Sequence, residues 1–272
     1  MNLIRPAAKI FFSNWKKFYN RHKGESCYIF GDGPSIKWFD LSLFSDKTSI
    51  ITGLLHHHND FNNLNVKYAT LMEPWVFTGQ KIRGFFNQDL PKEKLLIDDR
   101  ITNDYRNHMK NSNDINFFVN LSNLLSIKGK NVHYLYKDFP IEKHNIDESF
   151  RKFELFSGSF YTSLSLAYFF GFSEVYLIGH DAWTIKPKRN IRFYEHGEGR
   201  AFANIQAHDQ QLEAYKSKME IYTISPNGKS INVKNVNYED FTGKKIKYKE
   251  NHDILRKKSL ELLSLHTSQD IE

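Results

Sequence analysis

The chain reads as a single α/β domain with a Rossmann-like, mostly parallel sheet and a lid loop, on three observations. From residue 25 onward, short apolar runs alternate with helical stretches, the rhythm of βαβ units whose sheet is covered on both faces. Three of those runs end in glycine- or proline-broken turns: Gly31-Asp32-Gly33-Pro34-Ser35, Gly179-His180-Asp181 and Ser225-Pro226-Asn227-Gly228. In such a sheet these turns belong on one rim, at the carboxyl ends of the strands. Finally, 272 residues, 40% of them hydrophobic, favour one large core over two independent domains.

Taken in order, residues 1–24 form a basic amphipathic segment with Ile4, Ala8, Phe11, Trp15 and Phe18 at helical spacing. Membrane-surface contact and packing on the protein's own body are equally good readings, and the segment is too short and too charged to span a bilayer. The domain occupies 25–235. Its expected strands are Ser26–Phe30, Thr48–Thr52, Tyr68–Leu71, Ile115–Val119, Val132–Tyr136, Glu174–Ile178 and Glu220–Ile224. A polar excursion from Lys92 to Asn116 reads as a surface helix and loop. The stretch from Ser157 to Trp183 predicts a helix of small and apolar residues ended by Gly171, then a buried strand. Residues 184–207, rich in Arg, Lys, His, Gly and Tyr without clear periodicity, form the lid. A basic helical segment, 236–272, completes the chain.

The first turn carries the main chemical signal. A strand stopped by two glycines and a proline leaves backbone amides free at a tight bend, where a phosphate is favoured. A plain turn in which glycine supplies a positive φ is the competing reading. It is neither a Walker A loop nor a three-glycine dinucleotide fingerprint.

The +7 net charge is uneven: residues 1–23 carry +6, Lys229–Lys258 carry +5, and the rest is acidic. That distribution excludes a nucleic-acid groove through the body and points the two ends at an anionic surface. A single cysteine, Cys27, rules out an intramolecular disulfide and a cysteine-cluster metal site and fits a cytoplasmic protein, with peripheral contact at the inner face of the cell membrane through the basic ends. The run His56-His57-His58 reads as loop histidines near the rim, since consecutive residues do not converge on one ion and no acid accompanies them in sequence. The Asp98-Asp99 pair lies in the polar excursion, and no metal is expected.

GDGPSIK after the first strand, GFSEVYLIGHD after the serine-rich helix and IYTISPNG near the carboxyl side, with a basic histidine-bearing loop between the last two, resemble the bacterial sialyltransferases that build lipooligosaccharide termini from CMP-sialic acid, and related glycan-assembly proteins with the same nucleotide-binding core. The resemblance spans roughly Tyr28 to Asn232. It implies a variant GT-A fold, a CMP-sugar donor, no cofactor, and a surface-glycan or lipid-linked acceptor, as in lipopolysaccharide or capsule synthesis, with a homo-oligomer as a further partner. It places Gly31, Asp32, Gly33, Pro34 and Ser35 at the donor, with Ser159, Gly179, His180, Asp181, Pro226 and Asn227 around the same site. Trp183 stands where the family has a phosphate-binding tyrosine, Tyr194 supplies another such hydroxyl, and His196 matches the family's histidine base. His208 is the second candidate for that base.

Departures are clear as well. Asp32, Gly53 and Glu73 stand where the family has donor-contacting asparagines, and Phe156 replaces an arginine, which leaves the donor sugar open. A histidine base with hydroxyls or cations at the departing phosphate would give inverting, metal-independent glycosyl transfer. The rival readings are a metal-dependent nucleotide or pterin diphosphotransferase using Asp32 and Asp181, and a non-catalytic glycan-assembly protein.

Overall fold

The structure, a computed structural model, describes residues 17–73, 76–77, 92–135, 158–181, 192–195, 212–226, 230 and 233–263. Their strands are β1 (Ser26–Phe30), β2 (Thr48–Thr52), β3 (Val66–Leu71), β4 (Asn116–Asn120), β5 (Val132–Leu135), β6 (Glu174–Ile178), β7 (Glu220–Ser225) and β8 (Lys234–Asn237). They form one sheet in the order β5-β4-β3-β2-β1-β6-β7-β8, and every neighbouring pair is parallel. The chain therefore winds outward from β1 to β5, then returns to lay β6 on the other side of β1. The switch point lies between β1 and β6, the place where sheets of this kind open a crevice outside the carboxyl ends of the strands.

Period-two alternation in β1 shows why these residues make a central strand. Cys27 and Ile29 enter one core cluster, while Tyr28 and Phe30 enter the other on the opposite face. The first face is covered by the helix Gly158–Phe170, whose Leu164, Leu166 and Ala167 are buried. Small side chains let it lie close to the sheet, and their hydroxyls are satisfied locally: Ser163 Oγ donates to Ser159 O at 2.9 Å and Ser165 Oγ to Tyr161 O at 2.8 Å. Gly171 ends it at φ +89°, as the sequence predicts.

The Lys92–Asn116 excursion becomes a helix over Lys92–Asn111. Residues 17–24 are a short 3-10 stretch and turns packed on the protein's own body. Phe18 is buried against Phe118 and Phe170, and Asn20 N donates to Phe169 O at 3.1 Å. Ile4, Ala8, Phe11 and Trp15 lie outside the described residues. The strand β8 was not expected; it reaches Asn237, into the segment read as helical, before the helices Tyr238–Thr242, Asn251–Ile254 and Lys257–Leu263. Among the described residues, no helix is long and apolar enough to cross a membrane.

Candidate functional site

The turns after β1 and β6 meet at the switch point and are laced together. Gly31 N donates to Ile178 O and Gly33 N to Gly179 O, both at 2.8 Å, and Ser35 N donates to Asp181 Oδ2 at 2.7 Å. Pro34 has no N–H and begins a 3-10 helix over Pro34–Trp38. The expectation of free amides is thus corrected: those of Gly31, Gly33 and Ser35 are committed to β6 and the turn behind it. The competing reading is corrected too, because neither Gly31 nor Gly33 has a positive φ. Glycine is required here by close approach. A Cβ on Gly33 would sit 2.3 Å from Asp181 Oδ2, and one on Gly31 would sit 2.5 Å from Gly179 O.

Asp32 projects the other way, toward the end of β2. Its two carboxylate oxygens both accept from Leu54 N at 3.2 Å, and Gly53, at φ +62°, leaves room for them that a Cβ would remove. Burial is the main cause that lifts the Asp32 carboxyl to about 7; the Arg192 cation and the Leu54 amide oppose it, while Glu73 and Glu195 add to it. Glu73, exposed after β3, contributes its field to Asp32 and its carbonyl to Asn123 Nδ2 at 3.2 Å.

Above Asp32 sits the tight turn Arg192–Glu195, closed by Glu195 N donating to Arg192 O at 3.0 Å. Four contacts fix it: Phe193 N to Asp32 O at 2.8 Å, Lys37 Nζ to Glu195 O at 2.8 Å, Asn251 Nδ2 to Tyr194 O at 2.8 Å, and Arg192 N to the Glu195 carboxylate at 3.0 Å. Tyr194 is buried, and its hydroxyl accepts from the Arg192 guanidinium at 2.6 Å. Arg192 itself is exposed. The tyrosine therefore holds the arginine in place.

On the β6 side, burial lifts the Asp181 carboxyl above its usual range and Ser35 partly offsets this. Burial pushes the His180 imidazole down to about 3, and Phe160, beside Ser159 in the first turn of the Gly158–Phe170 helix, lies 4.9 Å from its ring. Pro226 follows β7, which β6 separates from β1, so roughly 10 Å divides that turn from the β1 turn. Trp183, His196, His208 and Asn227 lie outside the described residues. The structure thus brings together Gly31, Asp32, Gly33, Pro34, Ser35, Gly53, Glu73, Gly179, His180, Asp181 and Tyr194. Two residues missed from the sequence join them: Arg192, which only its place in the basic lid could have suggested, and Lys37, the lysine of GDGPSIK.

The histidine run differs most from its expected place. His56, His57 and His58 are not open loop side chains; all three are buried, His56 and His57 in a short 3-10 turn and His58 between it and the next, bridged to Leu255. An acid does accompany them, since Asp104 comes from the helix Lys92–Asn111 to within 3.4 Å of His56 Nε2 and 3.6 Å of His57 Nε2. The expectation that these histidines do not converge and have no acid beside them is corrected: the His56, His57 and Asp104 ligand atoms lie within 4.8 Å of one another.

No protein-family model matches the chain, and no curated protein matches it in sequence. Solved structures similar to it include the sialyltransferase CstII from Campylobacter jejuni in complex with cytidine-5'-monophosphate, at 19% identity over 86% of this chain and 94% of that one, with a TM-score of 0.42. The same sialyltransferase with CMP-3FNeuAc overlaps at 18% identity over 85% and 95% of the two chains, with a TM-score of 0.38. Sialyltransferase CST-II with a trisaccharide acceptor and CMP overlaps at 14% identity over 84% and 92%, with a TM-score of 0.35. These likenesses are too distant to assign a family.

Proposed function

We propose that the chain is a glycosyltransferase that binds a CMP-sugar across the β1–β6 switch point and moves its sugar, sialic acid or a relative, to a surface-glycan or lipid-linked acceptor. The observation that carries this reading is the exposed Arg192 cation, hydrogen-bonded to Tyr194 in the turn that Phe193 N ties to Asp32 O, and near enough to oppose the raised Asp32 carboxyl. A crevice that joins a fixed cation to an acid titrating near neutrality suits a ligand with one anionic phosphate and several sugar hydroxyls. The resemblance of the three turn motifs to the CMP-sialic-acid-dependent sialyltransferases supports a CMP-sugar as that ligand.

In the proposed mechanism the acceptor oxygen bonds to the anomeric carbon as the bond from that carbon to the phosphate oxygen breaks, with inversion. CMP departs with the bonding electron pair, and its growing negative charge is met by Arg192 in place of a metal. Asp32 accepts from a ribose or sugar hydroxyl. The acceptor proton passes to His196, which follows Glu195 directly in the chain. The basic ends of the chain are proposed to hold the enzyme near an anionic membrane surface where lipid-linked acceptors are made.

A thermal-shift panel of CMP, CDP, UDP, GDP and ATP tests the donor, because a ligand that binds only the folded state raises its melting temperature. CMP is expected to give the largest shift. His196→Ala is expected to keep that shift and lose transfer by about 10²- to 10⁴-fold, the usual cost of removing a general base. A shift for ATP with Mg²⁺ and none for CMP would replace this reading with a diphosphotransferase.

A further inference from the structure

We propose that His56 Nε2, His57 Nε2 and Asp104 Oδ2 form a structural binding site for one divalent transition-metal ion, with Zn²⁺ the best fit. The three atoms lie within 4.8 Å of one another. The two measured separations, 3.4 Å and 3.6 Å, are longer than the ~2.7–3.2 Å of a hydrogen bond from nitrogen. They are close to the ~3.3–3.4 Å edge of a tetrahedron whose metal–ligand bonds are ~2.0–2.1 Å. Octahedral ligands at that bond length would sit nearer ~3.0 Å apart, so the spacing favours a tetrahedral ion.

Hydrogen-bond accounting points the same way. His56 is 4% and His57 2% exposed, yet both nitrogens of His56 and the Nε2 of His57 have no hydrogen-bond partner. Leaving a buried polar atom unsatisfied costs on the order of 1–3 kcal/mol, and here two of the three, the Nε2 atoms of His56 and His57, face one carboxylate. His57 Nδ1 is 2.8 Å from Ser259 Oγ. If Nδ1–H donates to that hydroxyl, the lone pair of Nε2 faces Asp104 Oδ2, and two electron-rich atoms are left opposed. If the hydroxyl donates instead, the Nε2–H is too far from the carboxylate to bond it. A cation between them resolves the first arrangement, and a second partner on the far ring nitrogen is how metal-bound histidines are usually oriented.

The ligands are held before any ion arrives. The His56 ring stacks on His108 at 4.4 Å and 9° and meets the edge of Tyr105 at 4.9 Å. Lys258, whose side chain is 90% exposed, reaches the other Asp104 oxygen at 3.9 Å and is free to swing into solvent. Two imidazoles and one carboxylate leave a fourth position for water. The ion would tie the turn after β2 to the helix Lys92–Asn111, and through Ser259 to the helix Lys257–Leu263, segments about 200 residues apart in the chain.

The test uses the full-length, tag-free chain, dialysed and assayed for metal, then stripped with chelator and titrated with Zn²⁺ and Co²⁺. One equivalent of zinc is expected to be retained, with the intense visible absorption of tetrahedral cobalt on substitution. Chelation is expected to lower the melting temperature. His57→Gln and Asp104→Asn should lose the bound ion, and Ser259→Ala should weaken it by roughly 10- to 100-fold. Substoichiometric zinc with an octahedral cobalt spectrum in the wild-type chain overturns the site, and that readout stands even where a variant fails to fold. Undiminished binding in both ligand variants overturns it as well.

Discussion

At the β1–β6 joint, Gly31, Gly33 and Ser35 donate their amides to Ile178 O, Gly179 O and Asp181 Oδ2. At the end of β2, one strand away, the Nε2 atoms of His56, His57 and His108 are buried without a partner. The two regions invert the expectation drawn from their sequences. The glycine turn suggests open donors and is a closed seam, whereas the histidine run suggests incidental loop residues and is a buried cluster with uncommitted nitrogens. Glycine-rich composition shows that two backbones approach closely; it does not show what lies between them. Availability to a ligand depends on which polar groups the fold has already satisfied. By that criterion the β1 amides are taken, and the proposed donor site rests instead on Asp32 and the exposed Arg192.

The largest effect is expected at the seam. Gly33→Ala puts a methyl 2.3 Å from Asp181 Oδ2 and 2.5 Å from Gly179 O, and backbone cannot yield as a flexible side chain does. Overpacking of this kind should cost roughly 3 kcal/mol or more, lowering Tm by roughly 10 °C. Gly243→Ala is the comparator: φ is +69° but nothing lies within 4 Å of the new Cβ, so only backbone strain of about 1 kcal/mol is expected. Equal losses for the two variants in urea denaturation would mean that the joint has slack and glycine serves another purpose there.

A smaller, pH-dependent effect is expected at Asp32. Its folded-state carboxyl is raised to about 7 from 3.8, so between those values the unfolded chain releases a proton that the folded chain keeps. Stability from this group therefore falls as pH rises from about 4 to 7 and levels off above. Asp32→Asn still offers Leu54 N an acceptor but cannot ionise. It should flatten the pH profile and be more stable than wild type at pH 8, by on the order of 1–3 kcal/mol, with little difference near pH 4. Parallel profiles for the two proteins would show instead that Asp32 is ionised and fully paired with Arg192.

The smallest effect concerns the clamp on the Arg192–Glu195 turn. Asn251→Ala removes the 2.8 Å bond to Tyr194 O and should cost about 1 kcal/mol. Because Tyr194 orients Arg192, CMP affinity measured by calorimetry should fall in the same variant. Loss of stability with unchanged CMP affinity would separate the turn from the crevice.

Local pattern alone determined most of the architecture. The strands Ser26–Phe30, Thr48–Thr52 and Glu174–Ile178 occur at the expected residues, because short apolar runs between polar turns have few alternatives in a sheet buried on both faces. The glycine turns after β1 and β6 were legible for the same reason, and so was their closeness. Strand β8 was not: Lys234-Asn235-Val236-Asn237 lies at the sheet edge with its side chains half-buried or exposed, and such a strand carries no hydrophobic signature. The site divides along the same line. Asp32 and Asp181, named from their turns, and Gly53 and Tyr194, named from the resemblance, are brought together around the β1 turn. Only the tertiary structure decided that the β1 amides are committed, that Arg192 stands over Asp32, and that Asp104 and Ser259 meet His56 and His57. Those contacts join residues 47 to about 200 positions apart, and the geometry that makes them exists only once the helices have packed against the sheet.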